Sequence, residues 1–159
     1  MRETVLKYPP ELFRLWKAGR VHRAWYWTFA GLFDKQDLSN CEHQHRDGYH
    51  FAEWYSAVHF HTKGFKVLVT KYARKSHARK YREASRLLGK SSMRLLTRSL
   101  RKVSPPDLLV FDPRRRSFFF AEIKREKDKL REKQSRLFRE IEKKIRCQVL
   151  LIKLKASSN

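Results

Sequence analysis

Two apolar runs separated by a basic turn, PPDLLVF, DPRRR and SFFFAEIK over residues 105–124, constrain the fold more than any other stretch of the chain. Each run has strand length, and Asp112–Arg116 supplies turn chemistry between them, so the spacing predicts an antiparallel hairpin. Side chains of a strand alternate between faces, which puts Glu122 and Lys124 on one side and Phe119, Ala121 and Ile123 on the other. Paired through that turn, Asp107 comes to lie beside Glu122 at one edge of the sheet.

Two carboxylates with a lysine at a sheet edge are what phosphodiester hydrolysis requires. The carboxylates hold a hard divalent cation through oxygen, and the lysine orients or deprotonates water and offsets phosphate charge. The pattern P-D followed by E-x-K resembles the PD-(D/E)XK nuclease superfamily. The next stretch, Leu130 to Phe138 (LREKQSRLF), is similar to the L-x-x-x-Q-x-x-aromatic segment of its VRR-NUC branch, the virus-type replication-repair nucleases. The resemblance runs from Gly48 to Lys155. The same early glutamate, P-D and E-x-K also resemble Holliday-junction resolvases, the rival reading within the nuclease class, while Gln134 and Phe138 favour VRR-NUC.

The chain of 159 residues fits one domain with an appended segment, and 41% hydrophobic residues exclude disorder throughout. Its net charge of +22 calls for a polyanionic partner, and DNA is the obvious one. The charge is uneven. Between Trp54 and Pro106 there are 14 Lys and Arg against a single acid, Glu83, a balance of +13. Cys41 and Cys147 give no disulfide framework, and no apolar run has the length of a membrane span. An intracellular protein with no membrane and no small-molecule cofactor is expected.

Along the chain, residues 1–47 read as a helical, aromatic-rich extension and residues 48–159 as a nuclease domain carrying a basic helical insert at 73–103. Pro10 starts a helix that runs to Lys17. Trp25, Phe29 and Phe33 have helical spacing and read either as a small core or as a platform for unpaired bases. Asp34–Gly48 reads as a polar loop, in which Cys41, His43 and His45, with His50 nearby, leave open a zinc site or a solvated loop. Tyr49–His61 predicts a helix with Glu53 bordering its apolar stripe, as a lysine-paired edge residue or a metal-site carboxylate. A strand over Phe65–Tyr72 follows.

Two helices fill the insert, with Tyr81, Ala84 and Leu88 on one apolar stripe and Met93, Leu96 and Leu100 on the other. Ser91 or Ser92 is the expected cap of the second. Arg74, Lys75, Arg79, Lys80, Arg82, Arg86, Lys90, Arg94 and Arg98 form the expected DNA-binding surface. After the hairpin, Leu130, Leu137, Ile141 and Ile145 define a buried helical stripe that includes Gln134, and Cys147–Leu154 reads as the last strand.

The expected fold is therefore α/β, an αβββαβ core with a mixed central sheet flanked by helices. The resemblance implies that Asp107, Glu122 and the Ile123 carbonyl hold Mg²⁺ or Mn²⁺ with help from Glu53, that Lys124 positions water, and that Gln134 orients Lys124 or the phosphate. It also implies cleavage of branched, flapped or junction DNA in replication, repair or recombination, leaving a 5′-phosphate and a 3′-hydroxyl. A homodimer stays open, because a junction is cut symmetrically. The alternative is a basic nucleic-acid-binding protein without catalysis.

Overall fold

A computed structural model describes residues 1–158. Five runs form one mixed sheet in the order β1-β5-β4-β3-β2: β1 (Arg2–Tyr8), β2 (Lys66–Val69), β3 (Leu108–Asp112), β4 (Ser117–Arg125) and β5 (Val149–Ala156). The hairpin forms as expected. Leu108 lies opposite Ala121 and Asp112 opposite Ser117, with the chain reversing at Arg116 in a left-handed conformation. β2 joins β3 antiparallel, while β5 runs parallel to both β4 and β1.

The helices are α1 (Pro10–Lys17), α2 (His22–Thr28), α3 (Lys35–Gln44), α4 (Phe51–Thr62), α5 (Ala78–Leu88), α6 (Lys90–Ser99) and α7 (Glu132–Ile145). They divide the core by sheet face. On one side Val67, Leu108, Val110, Ala121 and Ile152 pack under α4 and the N-terminal helices. On the other Leu68, Leu109, Phe120 and Val149 pack under α5, α6 and α7. The strand period decides which residue goes where: Ala121 and Ile123 turn to α4, while Phe120 turns to α7.

Several expectations change. The first residues are not only helical, because Arg2–Tyr8 adds a fifth strand beside β5. That pairing spans almost the whole chain, and no local signal announces it. Asp34–Gly48 is not a loop. Asp34 starts α3, with the Asp37 carboxylate accepting the Asp34 N–H at 2.7 Å, a cap that a polar composition hides. The strand after α4 stops at Val69, because Thr70 and Lys71 take left-handed backbone, where a pleat cannot continue. α6 begins at Lys90 behind Gly89, so neither Ser91 nor Ser92 is its cap. Leu130 precedes α7 rather than belonging to it, although it packs beneath it.

The aromatic run resolves as core. Phe33 stacks on Trp54 at 3.6 Å between ring centroids, and Trp25 leans on Trp16 at 5.8 Å. Gly48, which leads into α4, has φ +79, and a Cβ there would stand 2.7 Å from Phe13 Cζ. Any side chain at 48 would push Phe13 off the start of the helix that carries Glu53.

Candidate active site

The site forms at one end of the β3–β4 pair. The hairpin register sets Asp107 beside Glu122, and two hydrogen bonds cross between them. The Asp107 N–H donates to Glu122 Oε2 at 3.2 Å, and the Ile123 N–H donates to Asp107 Oδ2 at 2.8 Å. The start of β3 is pinned from behind. Tyr72 donates its hydroxyl to the Pro106 carbonyl at 2.6 Å, and the Thr70 N–H donates to the Asp107 carbonyl at 2.7 Å.

Lys124 shares the Glu122 face, and its ammonium lies 2.9 Å from Glu122 Oε1. Gln134, buried in the first turn of α7, joins the two. Its amide donates to Glu122 Oε1 at 3.0 Å, and its oxygen accepts from Lys124 at 3.4 Å and from the Arg131 N–H at 3.1 Å. The same side chain thus caps the helix and fixes a charged pair, which locks its rotamer from two sides. Glu53 comes from the opposite sheet face, in the first turn of α4, where the helix dipole favours negative charge. It borders a cleft of about 530 Å³ shared with His50, Ile123, Arg125, Lys127 and Asp128. Asp107 lines a second cleft, of about 190 Å³, with Lys71, Tyr72 and Arg74.

All three carboxylates hold their protons more tightly than usual, chiefly because they are withdrawn from water. Burial, then the charges of Glu122 and Glu53, hold Asp107 well above the usual carboxylate range against the pull of the Ile123 N–H and Lys124. Burial raises Glu122 too, opposed chiefly by Lys124, and burial raises Glu53. This donor set is oxygen only and rich in mutual repulsion, which is the chemistry of a hard-cation site. Among the described residues, no three acidic, histidine or cysteine side chains already stand as a ligand cluster. Glu122 Oε1 is occupied by Lys124 and Gln134, so accepting a cation there means loosening that pair.

The family model of the VRR-NUC domain matches residues 52–153, well over half the chain. The chain belongs to the VRR-NUC family. This is a nuclease family, and the mixed sheet flanked by helices is consistent with the PD-(D/E)XK-like nuclease fold. The match begins at Ala52, so β1 and α1–α3 stand outside it. No curated protein matches the chain. No helix among the described residues is long and apolar enough to cross a membrane.

The basic insert is less uniform than its composition. Lys80 is no surface residue: it is fully buried, with its ammonium 2.8 Å from both Asp37 oxygens and 2.6 Å from the Val69 carbonyl. Arg79 is half-buried and tied to Asp34 at 2.6 Å and to Glu83 at 3.6 Å. Both side chains knit α5 to the N-terminal segment, because Asp34 and Asp37, the acids that hold them most closely, lie about forty residues away in sequence. Arg74, Lys75, Arg82, Arg86, Lys90, Arg94 and Arg98 stay exposed, with Arg98 reaching Glu140 at 3.9 Å.

Cys41 is buried in the core, where desolvation pushes its thiol far above the ordinary range, and His43 is exposed. His45 instead packs its Nδ1 against the Lys17 carbonyl at 3.0 Å and stacks on His22. These side chains do not converge on a zinc site. Tyr72, His50, Arg125 and Asp128 belong to the perimeter of the site, and sequence reasoning missed them. Arg125 and Asp128 follow Lys124 at the end of β4 with no motif of their own, while Tyr72 and His50 reach the site through tertiary packing.

Proposed function

We propose that this VRR-NUC domain is a metal-dependent DNA endonuclease acting on branched, flapped or junction DNA. The observation that carries the reading is the Asp107–Glu122–Lys124–Gln134 constellation, with Glu122 and Gln134 buried and Asp107 and Lys124 half-buried, closed by hydrogen bonds of 2.8–3.4 Å. A protein that only binds nucleic acid has no use for two carboxylates held at raised proton affinity under a lysine.

Asp107, Glu122, the Ile123 carbonyl and, from the far side, Glu53 are the residues that would hold Mg²⁺ or Mn²⁺. When bound, such a cation supplies Lewis-acid charge to the phosphate and lowers the pKa of water. The protein side chains do the rest. Lys124 orients the attacking water and offsets charge on the phosphate, and Gln134 keeps its ammonium from swinging away. Lys71, Arg74, Arg125 and Lys127 rim the two clefts and draw the DNA backbone in.

The test is incubation with single-stranded, duplex, flap, splayed and four-way DNAs, with Mg²⁺ and with EDTA. Cleavage in Mg²⁺ that stops on chelation is expected, with Ca²⁺ supporting binding but not turnover because its coordination is looser. Full activity after thorough chelation would sink the metal reading.

The exposed part of the basic surface makes a separate expectation. Neutralising Arg74, Lys75, Arg82 and Arg86 should weaken duplex binding and flatten its salt dependence, by about 0.9 in the log–log slope for each phosphate left without its cation. Activity at saturating DNA should survive. An unchanged slope would place the DNA track elsewhere.

A further inference from the structure

Two aromatic rings stand largely in solvent among the described residues, Trp27 at 76% and Tyr49 at 60% exposed. A lone apolar side chain on a surface needs no explanation. Trp27 is of that kind, on α2 and outside the clefts of Glu53 and Asp107. Tyr49 is different. It lines the cleft of about 530 Å³ that Glu53 and Ile123 also line.

The chain holds Tyr49 there from both sides. Its neighbours Gly48 and His50 both have left-handed backbone, with φ of 79° and 70°. The Gly48 N–H donates to the His45 carbonyl at 2.9 Å, and the His50 carbonyl accepts the Trp54 N–H at 3.0 Å. The His50 ring is hydrogen-bonded to the Gln44 side chain. Between these ties, the fully buried Trp16 donates its indole N–H to the Tyr49 carbonyl at 3.1 Å. A backbone bent twice in succession persists because its surroundings fix it. None of these bonds uses the Tyr49 ring, which is held out at the cleft.

The rest of the cleft says what the ring meets. The Arg125 guanidinium lies 4.4 Å from the centroid of the Phe13 ring, a stacking that sets its position in advance. Glu126 and Asp128, both exposed, bring negative charge to the same cleft, and Asp128 accepts the Arg125 N–H at 3.1 Å. A cleft that only tracked a phosphate backbone would be lined by cations. Here the carboxylates turn phosphate away, while their oxygens suit the amino groups on a base edge.

We propose that Tyr49 is a stacking platform for an unstacked nucleobase and that this cleft is a base subsite beside the cut. Resting on the nuclease reading, the subsite takes the base of a nucleotide that flanks the scissile phosphate. Tyr49 covers the face of that base, Glu126 offers acceptors to its edge, and Arg125 neutralises the phosphate attached to it. A base inside a duplex reaches the ring only by leaving its stack, so Tyr49 contributes where the strand is unpaired.

The experiment uses the full chain with Ca²⁺ in place of Mg²⁺ and a single-stranded oligonucleotide carrying 5-iodouracil in place of thymine. Near-ultraviolet light breaks the carbon–iodine bond and joins the base to an aromatic ring lying on it. Mass spectrometry should find the cross-link on Tyr49. With unsubstituted oligonucleotides at moderate salt, Tyr49→Ala should bind single strand about tenfold more weakly, and Tyr49→Phe within about twofold of wild type. Blunt duplex should bind all three equally. Trp27→Ala should change neither affinity. Thermal unfolding of Tyr49→Ala should match wild type, because Trp16 holds the backbone and not the ring.

Unchanged single-strand affinity in Tyr49→Ala, an equal loss on single strand and duplex, or a cross-link on Trp27 that spares Tyr49 overturns the subsite, even if the chain cleaves DNA. A cross-link on Tyr49 with a loss confined to single strand upholds it even if nothing is cleaved in Mg²⁺. That failure then belongs to the nuclease reading.

Discussion

Lys124→Ala is expected to reduce cleavage by roughly 10²–10³ or more, the usual effect of removing one preorganised charge from a hydrolytic site. Asp107→Asn should do at least as much. The two variants fail for different reasons. Alanine at 124 leaves Glu122 and Gln134 paired at 3.0 Å but takes away the ammonium that both of them hold. Asparagine at 107 keeps an oxygen to accept the Ile123 N–H, so the strand geometry holds, while the carboxylate is gone. DNA affinity should change little in either, because the exposed insert residues that carry the field are untouched. Single-turnover rates at saturating DNA, read beside gel-shift affinities, separate chemistry from binding. The wild-type rate should also climb as pH rises from the acid side, since Asp107 and Glu122 must ionise and both resist it. A wild-type rate in either variant means the catalytic centre lies elsewhere.

What the sequence makes legible follows from how local each signal is. Asp107, Glu122 and Lys124 lie within eighteen residues, on a hairpin whose register is fixed by its own turn and alternation. Their juxtaposition follows from period two alone. Gln134 is nearly as local, because a 3.6-residue period puts it on the stripe that Leu137 and Ile141 bury. Glu53 needed the resemblance, since its place depends on how α4 crosses the sheet.

The N-terminal segment was the opaque part. β1 finds its partner only across the whole chain. α3 has so polar a composition that its capping pair, Asp34 and Asp37, is the one clue to it. The charge count misled for a related reason. It treats the insert as nearly acid-free, but Asp34 and Asp37 are supplied to it by tertiary folding.

Lys80→Met is where that error becomes measurable. A surface lysine on a basic helix would tolerate the change within about 0.5 kcal/mol. Lys80 instead has its ammonium wholly enclosed by Asp37 and the Val69 carbonyl, and burial lowers its pKa against the pull of Asp37. Methionine fills much the same space but leaves a buried carboxylate and a carbonyl without their donor. Removing one partner of a buried pair costs about 3–5 kcal/mol, because the other charge stays behind in the dry interior. Asp37→Leu with Lys80→Met should recover most of that loss, short of about 1 kcal/mol for the α3 cap that Asp37 also serves. Arg82→Ala, two residues on and exposed, should leave stability alone and weaken only DNA binding. Urea unfolding of the four proteins with a common slope decides it. The consequence reaches the active site, because Val69 adjoins Thr70, whose N–H holds the Asp107 carbonyl at 2.7 Å. If Lys80→Met costs under about 1 kcal/mol, the pair is not holding α5 to the sheet, and the insert is free to move relative to the site it serves.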